Sequence, residues 1–494
     1  MPRFQPSLDE FRRLSQLGNL VPVYCEVVAD GETPVSLYAR LGRRPYSFLL
    51  ESVLGGARWA AYSFLGLEPL ATLQIADGSF VWQERGREAL SGAATAPVAV
   101  LRQFLSRFRA VEVPGLPRFS GGAVGFFSYD VARSTLPLPP ARAPSPTGLP
   151  DATFVFTDTV AIVDNLRQTL RLVTNVVLEP GAPVDAAYQQ ACERLDKLLD
   201  QLRAPPPQLR PLDPYTERRI VARANESQLS FVEKVRRAKE YILAGDAFQI
   251  VLSQRFEVDR PACDDFDLYR ALRVVNPSPY MFHLALPEGH ITGASPEVLA
   301  RVEGDTLVVR PIAGTRRRGE SATEDAALAA ELLADPKERA EHTMLIDLGR
   351  NDVGRVAEIG SVRVDEAYAI ERYSHVMHMC SEVRGELRLG EDALSAFAAC
   401  FPAGTLTGAP KLRAMQIIDE LEAEPRGLYG GAVGYASYGG NLDMAIAIRT
   451  LVGRKDRLYF QAGAGIVADS DPDAEYEETL AKSRALLRAI AMVV

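Results

Sequence analysis

Two segments of the chain set paired glutamates at the start of a helix. One reads DPKERAEHTMLIDL from Asp335, the other DPDAEYEETLAKS from Asp471. Aspartate followed by proline starts a helix: the carboxylate caps free N–H groups, and proline sits in the first turn, where its missing donor costs nothing. Glu338 with Glu341, and Glu475 with Glu478, stand three residues apart, so each pair shares a helix face, and Lys482 shares the second one. Either pair alone reads more plainly as solvated carboxylates answering the helix dipole. Two such faces brought together would repel unless a cation stood between them. Oxygen donors without a cysteine or histidine cluster favour magnesium over zinc.

Other chemistries fit less well. GAGIVA (Gly463 to Ala468) matches G-x-G-x-x-A, but DSDPD follows it and too few residues remain for a βαβ unit with its ribose acid. No G-x-x-x-x-G-K-[ST] occurs. The strand through Gly463, Ala464 and Gly465 can instead offer backbone N–H groups to a carboxylate, because glycine lets a ligand come close. PAGTLTGAPK, which contains Thr405, is a glycine-rich turn of the kind that usually only turns but can bind an anion. His378 lies in VMHMCSEV, an alternating strand-like run in which a structural histidine is the plainer reading. No cysteine occupies a G-x-C-x-G elbow, so no nucleophilic cysteine site is expected.

These segments belong to 494 residues with a net charge of −9, a balance that argues against nucleic acid as the main partner. The five cysteines form no CxxC pair and suit a reducing compartment. No signal-like start and no long apolar run occurs, so a cytoplasmic protein is expected. The proline-rich stretch RAPPPQLRPLDP (Arg203 to Pro214) suggests a boundary, giving an N-terminal region 1–214 and a C-terminal region 215–494. Antiparallel strand-like runs dominate the first region. In the second, Ser230 with Glu233 reads as a capping box opening a helix that Gly245 ends. FQIVLSQRFEV then reads as a strand with one apolar face and Gln249 on the other. The rhythm is α+β, without regular βαβ units. GGAVG appears twice, at Gly121 in GGAVGFFSY and at Gly430 in GGAVGYASY.

Taken together the motifs resemble one family closely, the chorismate-utilising enzymes, and among them the synthase subunits that make anthranilate. The motifs are GDAFQIV, GASPE, RPIAGTRRRG, AEHTMLIDLGRND, VMHM, FPAGTLTGAPK, YGGAVGY, AIAIRT and QAGAGIVADSDPDAEYEETLAK, in family order. The resemblance implies two stacked, mostly antiparallel sheets between helical layers, a four-layer fold with related topologies in its two halves. It implies a magnesium-dependent carbon–oxygen lyase. Ammonia attacks chorismate at C2 with loss of the C4 hydroxyl, and the aminodeoxyisochorismate formed loses pyruvate to give anthranilate, the first committed step toward tryptophan.

Carried over residue by residue, the resemblance makes Glu341 and Glu478 the magnesium ligands, supported by Glu338 and Glu475. Tyr429 and Arg449 are expected on the pyruvyl carboxylate, with Gly463, Ala464, Gly465 and Lys482 completing the substrate contacts. Glu297 in GASPE is the expected general acid, His378 assists pyruvate elimination, and Thr405 touches the substrate near the departing group. Isochorismate and salicylate synthases carry lysine where Gln249 stands, to activate water; neutral glutamine suits ammonia. Aminodeoxychorismate synthase, the nearest rival, typically has lysine in PIKGT, where this chain has Ala313. A non-catalytic tryptophan-binding regulatory subunit is a rival of another class. Lacking a cysteine elbow, the chain is expected to take ammonia from a separate glutamine amidotransferase subunit. FLLES and NPSPYMFH resemble the family's feedback segments, which places Glu51, Ser52, Pro279, Tyr280 and Met281 in a tryptophan site. The two GGAVG strands are expected to be a duplicated element, the first copy structural or bordering that site.

Overall fold

A computed structural model describes residues 3–53, 61–140, 143–205, 207–373 and 376–494. Two twelve-stranded, antiparallel sheets lie face to face. Aromatic and β-branched side chains from both, among them Phe48, Phe64, Phe126, Ile162, Phe282 and Val433, fill the space between them. Helices cover the outer faces. Leu8–Leu14, Val184–Arg203, Asp265–Val275 and Pro472–Ala491 pack on one sheet, while Pro97–Leu105, Pro336–Gly354 and Ala393–Cys400 pack on the other. This is the expected four-layer α+β arrangement. It explains why ATFVFT and TVAIVD are buried at every position rather than at alternate ones: both faces of each sheet are covered. Among the described residues no helix is long and apolar enough to cross a membrane.

The chain is folded in two topologically matching halves. In one sheet the central pair is Phe48–Glu51 with Tyr280–Leu286. Moving outward, it is flanked by Tyr62–Gly66 and Gly289–Ser295, then by Thr159–Asp164 and Thr450–Arg454. In the other the central pair is Gly122–Phe127 with Ala432–Ser437, the two GGAVG strands, flanked by Ala152–Thr157 and Leu442–Ile446. The two copies pair with each other, Ala432 opposite Phe127 and Ser437 opposite Gly122, so Gly125 faces Gly434. A Cβ on Gly125 would lie 1.9 Å from the Thr153 carbonyl oxygen, and one on Gly434 would lie 2.1 Å from that of Asp443. The motif recurs because the same close strand approach is made on both sides of one seam. Both sheets draw strands from either side of residue 214.

Local signals are largely realised. Asp335 caps Pro336–Gly354 through the N–H groups of Lys337 and Glu338, and Asp471 caps Pro472–Ala491 through that of Ala474. One cap differs from expectation. The helix Gln228–Leu243 begins three residues earlier, with Ser227 accepting from the Ser230 N–H, while the Ser230 hydroxyl turns to Glu226. Both serines suit an N-cap; the earlier start adds a turn ahead of buried Phe231 and Val235.

Candidate active site

The two glutamate helices converge. Glu341 is half-buried, and its carboxyl is held above the usual range by burial first, then by the negative charges of Glu338 and, from the other helix, Glu478. The two glutamate faces therefore meet, Glu478 of one helix raising Glu341 of the other. Gln249, first residue of the strand Gln249–Asp259, donates from Nε2 to Glu341 Oε1 at 3.3 Å and partly offsets the shift. Glu478 stands at the rim, 2.6 Å from Lys482 Nζ. Glu475 is raised by burial and by Glu478, against a compensating bond from Ser470. Glu338 lies 3.1 Å from Arg316 Nη1, a guanidinium it shares with Glu331 and Asp335.

This donor set fits a divalent cation in a particular way. Among the described residues no three acidic, histidine or cysteine side chains are gathered into a ready-made cage. Glu341 and Glu478 instead form a like-charged pair across two helices, which a cation between them would relieve. Glu338, paired with Arg316, and Glu475 are the residues that would support such an ion from behind. A set with so few protein oxygens suits magnesium, which keeps waters and substrate oxygens in its shell.

The strand Arg457–Ile466 forms the wall opposite. Gly465 pairs with Val251 and Gly463 with Ser253. A side chain on Gly465 would meet Gln249 Nε2 at 2.7 Å, and one on Gly463 would meet the Tyr429 hydroxyl at 2.6 Å. The glycines let Gln249 and Tyr429 lie directly against the strand, with Ala464 buried between them. Lys482 Nζ donates to the Gly463 carbonyl at 2.9 Å, and Arg449 Nη1 donates to the Lys482 carbonyl at 2.8 Å. Arg449 holds a left-handed backbone, φ 51°, at the point where the chain leaves one sheet for the other. Burial lowers its pKa, opposed by Tyr429 and Glu478, so all three stand in one field. Arg426, paired with Glu422 in the interior, lies 5.7 Å from the Tyr429 ring centroid and supports it from behind.

The residues expected to act as acid and base sit beside this wall. Glu297 also lies at a sheet-to-sheet crossing, between Gly289–Ser295 and Val298–Glu303. Its carboxyl is buried, and burial pushes it up to about 7, against opposing influences from Thr405 and Lys482. The Thr405 hydroxyl points into the same space without a hydrogen bond of ordinary geometry. His378 Nδ1 lies 3.0 Å from the Gly314 carbonyl and 3.1 Å from Thr315 Oγ1. A carbonyl only accepts, so Nδ1 carries the proton and Nε2 of the neutral ring is left as a base. Burial lowers the His378 pKa, keeping the ring neutral. Gly314 is a bulge in the strand Ile312–Arg317 with φ 65°, and a Cβ there would come within 2.9 Å of Glu338 Oε2.

Every residue assigned by resemblance to the active site thus lies at one end of the two sheets. Sequence reasoning used RPIAGTRRRG only for Ala313; it missed that Gly314 and Thr315 orient His378 and that Arg316 neutralises Glu338. Three arginines in a glycine-rich motif were the available signal.

The residues expected of a feedback site line a second pocket, between the sheets at the central strand pairs. Glu51, Ser52, Pro279, Tyr280 and Met281 all line it, together with Arg301, Tyr435 and Asp443. Glu51 is buried and held by Arg273, with Nε at 3.1 Å, and by the Tyr269 hydroxyl. The Tyr280 hydroxyl donates to Asp443 at 3.0 Å and accepts from Arg301 at 3.0 Å. The GGAVG copy that borders this pocket is the second, through Val433, Gly434 and Tyr435, a placement not foreseen from sequence; the first is structural. His283 is enclosed by the rings of Tyr38, Phe266 and Tyr269, on the helix side of its strand.

Comparison with known proteins agrees with this geometry. The profile of a family described as chorismate binding enzyme matches residues 56–488. The chain is 47% identical over 488 residues to "Anthranilate synthase component 1" of Pseudomonas putida, covering 98% of each chain. It is 44% identical over 500 residues to the protein of that name from Acetivibrio thermocellus, covering 99% of this chain and 98% of the other. Among solved structures, anthranilate synthase component I from Streptococcus pneumoniae superposes with a TM-score of 0.75 at 35% identity, covering 93% of this chain and 99% of that one. The menaquinone-specific isochorismate synthase of Escherichia coli shares the fold at 16% identity, with a TM-score of 0.72 over 98% of this chain and 99% of that one. From the convergent glutamates, the glycine-lined wall and these likenesses, the chain belongs to the chorismate binding enzymes, in the group of anthranilate synthase component 1.

Proposed function

We propose that the chain converts chorismate and ammonia to anthranilate and pyruvate, with magnesium at Glu341 and Glu478 and ammonia from a separate glutamine amidotransferase subunit. The observation that carries the reading is the meeting of Glu341, Glu478 and Gln249 at one wall built of Gly463, Gly465, Tyr429, Arg449 and Lys482.

Chorismate is a dianion. Arg449 and Tyr429 bind the pyruvyl carboxylate, and the backbone at Gly463 to Gly465 with Lys482 receives the other end. Magnesium, when bound, would neutralise the ring carboxylate. Ammonia needs no base before it attacks, so the neutral Gln249 serves where lysine would be needed to activate water. As the nitrogen bonds to C2, the ring double bonds shift and the C4 hydroxyl leaves as water, taking the proton of Glu297. That carboxyl, raised to about 7 by burial, is about half protonated at pH 7, which supplies the acid form near neutrality. In the second step His378 Nε2 takes the proton from C2 while the C3–O bond breaks, so the ring becomes aromatic and the side chain leaves as enolpyruvate, which gains a proton on its methylene carbon to become pyruvate. Gly314 and Thr315 hold that imidazole in the required tautomer.

Ala313 favours anthranilate over the 4-amino product, because its methyl group cannot do what a lysine amine would do at that position. The pocket at Ser52 and Tyr280 is read as a tryptophan site that inhibits the enzyme. The cytoplasm is read as its compartment, supported by five free cysteines. The partner assignment is tested by supplying glutamine alone and then ammonium to the purified chain. Turnover with ammonium, none with glutamine, and glutamine use restored by an added amidotransferase subunit is the expected result. Glutamine-dependent turnover by the chain alone would overturn it.

A further inference from the structure

Directly after Glu341 stands a side chain that the reaction leaves unused. One residue along a helix is a rotation of about 100°, so His342 turns away from the site toward the sheet, where it is fully buried. Its Nε2 lies 2.7 Å from Ser381 Oγ, on the strand Val376–Glu386 that carries His378. Ser381 Oγ also accepts from the Tyr368 N–H at 2.9 Å, and the Ser381 N–H donates to the Pro311 carbonyl at 3.2 Å. Tyr368 packs its ring 5.3 Å from the imidazole, and its hydroxyl meets Thr343 Oγ1 at 2.8 Å.

The rest of this helix meets the sheet through apolar groups such as Leu345, Ile346, Val353 and the close approach of Gly349 to Val309 and Val383. Apolar contact is non-directional and leaves sliding and rotation loosely fixed, whereas a buried hydrogen bond fixes partners within a few tenths of an ångström. Stability gives no reason for an imidazole here. His342 Nδ1 is buried without a hydrogen bond, and replacing both members of a buried polar pair by apolar groups is often neutral or stabilising. A buried polar contact of this kind is best attested as a device that sets register.

We propose that His342, through its bond to Ser381, is the positioning residue that sets Glu341 in register with Gln249 and His378. The assignment rests on the magnesium reading of Glu341 and Glu478.

The test is calorimetric titration of Mg2+ into the full chain without chorismate, for the wild type, His342→Leu, His342→Gln, Ser381→Ala and the Leu/Ala double variant. His342→Leu and Ser381→Ala should each weaken Mg2+ binding about tenfold or more, the double variant no further, and His342→Gln, whose amide nitrogen reaches the place of Nε2, should stay within about threefold of wild type. Melting temperatures of the double variant and the wild type should be close. In turnover with ammonium, kcat should fall more than the KM for chorismate rises. Should His342→Leu fail to fold, Ser381→Ala, which deletes one hydroxyl, carries the same comparison. Undiminished Mg2+ affinity in His342→Leu or Ser381→Ala would overturn the assignment alone. A wild-type chain that takes up no Mg2+ would overturn the magnesium reading and this assignment with it.

Discussion

His378 donates from Nδ1 to the carbonyl of Gly314, the residue whose missing side chain leaves room for the Glu338 carboxylate. One bulged glycine therefore touches both the base proposed for elimination and the end of the site proposed to support the metal. If His378 acts only in the second step, His378→Ala should still consume chorismate with ammonia but release little anthranilate, with a loss of about 10²–10⁴-fold in its formation. Chromatography should show the aminated intermediate accumulating. Loss of chorismate consumption to the same extent would place His378 in the first step.

Glu297 makes a pH prediction. The acid acts protonated, so the amination rate should fall on the alkaline side with a midpoint near 7, and Glu297→Gln should lose both the limb and most of the rate. The same shift has a stability consequence. A carboxyl raised from 4.5 to about 7 on folding disfavours the folded state increasingly as pH rises from 4.5 to 7, by about 3 kcal/mol in full. Glu297→Gln should therefore melt higher than wild type at pH 8 and show little difference at pH 4.5. An equal difference at both pH values would show that Glu297 is not held neutral by burial.

Gly463→Ala should damage substrate binding without unfolding the chain. The added methyl would fall 2.6 Å from the Tyr429 hydroxyl and 2.7 Å from the Leu252 carbonyl oxygen, so Tyr429 must shift. The expected result is a KM for chorismate raised by about tenfold, since one contact of about 1.4 kcal/mol is lost. Unchanged KM would remove Tyr429 from the substrate site.

In the second pocket, Ser52→Ala should weaken tryptophan inhibition by several-fold, about the worth of one hydrogen bond. Inhibition curves at fixed chorismate would show it. Inhibition at the wild-type tryptophan concentration would exclude Ser52 as a contact.

Much of the site was legible from local grammar, because caps are local. Asp335-Pro336 and Asp471-Pro472 state where each glutamate helix begins, and i, i+3 spacing then fixes the shared face. What was hidden depends on chain crossings. Nothing near Gly121 indicates that its strand pairs with the one after Gly430, and nothing near Arg316 indicates that Glu338 lies 3.1 Å away. The matching halves also differ at the turn where the proposed substrate contact lies. The turn that leads into Thr450–Arg454 holds Arg449, whereas the matching turn into Thr159–Asp164 holds Asp158, buried with Arg194 at 2.8 Å and Arg85 at 3.2 Å. There the protein's own ion pairs fill the turn, whereas Arg449 in the other half has no carboxylate at ion-pair distance among the described residues and is proposed to receive one from the substrate.

The most direct test of the central claim is the purified chain with chorismate, Mg2+ and ammonium, followed by anthranilate fluorescence and chromatography of the products. The account predicts anthranilate and pyruvate in equal amounts, lost on chelation and lost in Glu341→Gln and Glu478→Gln. A 4-amino product, or turnover that survives either substitution, would contradict it.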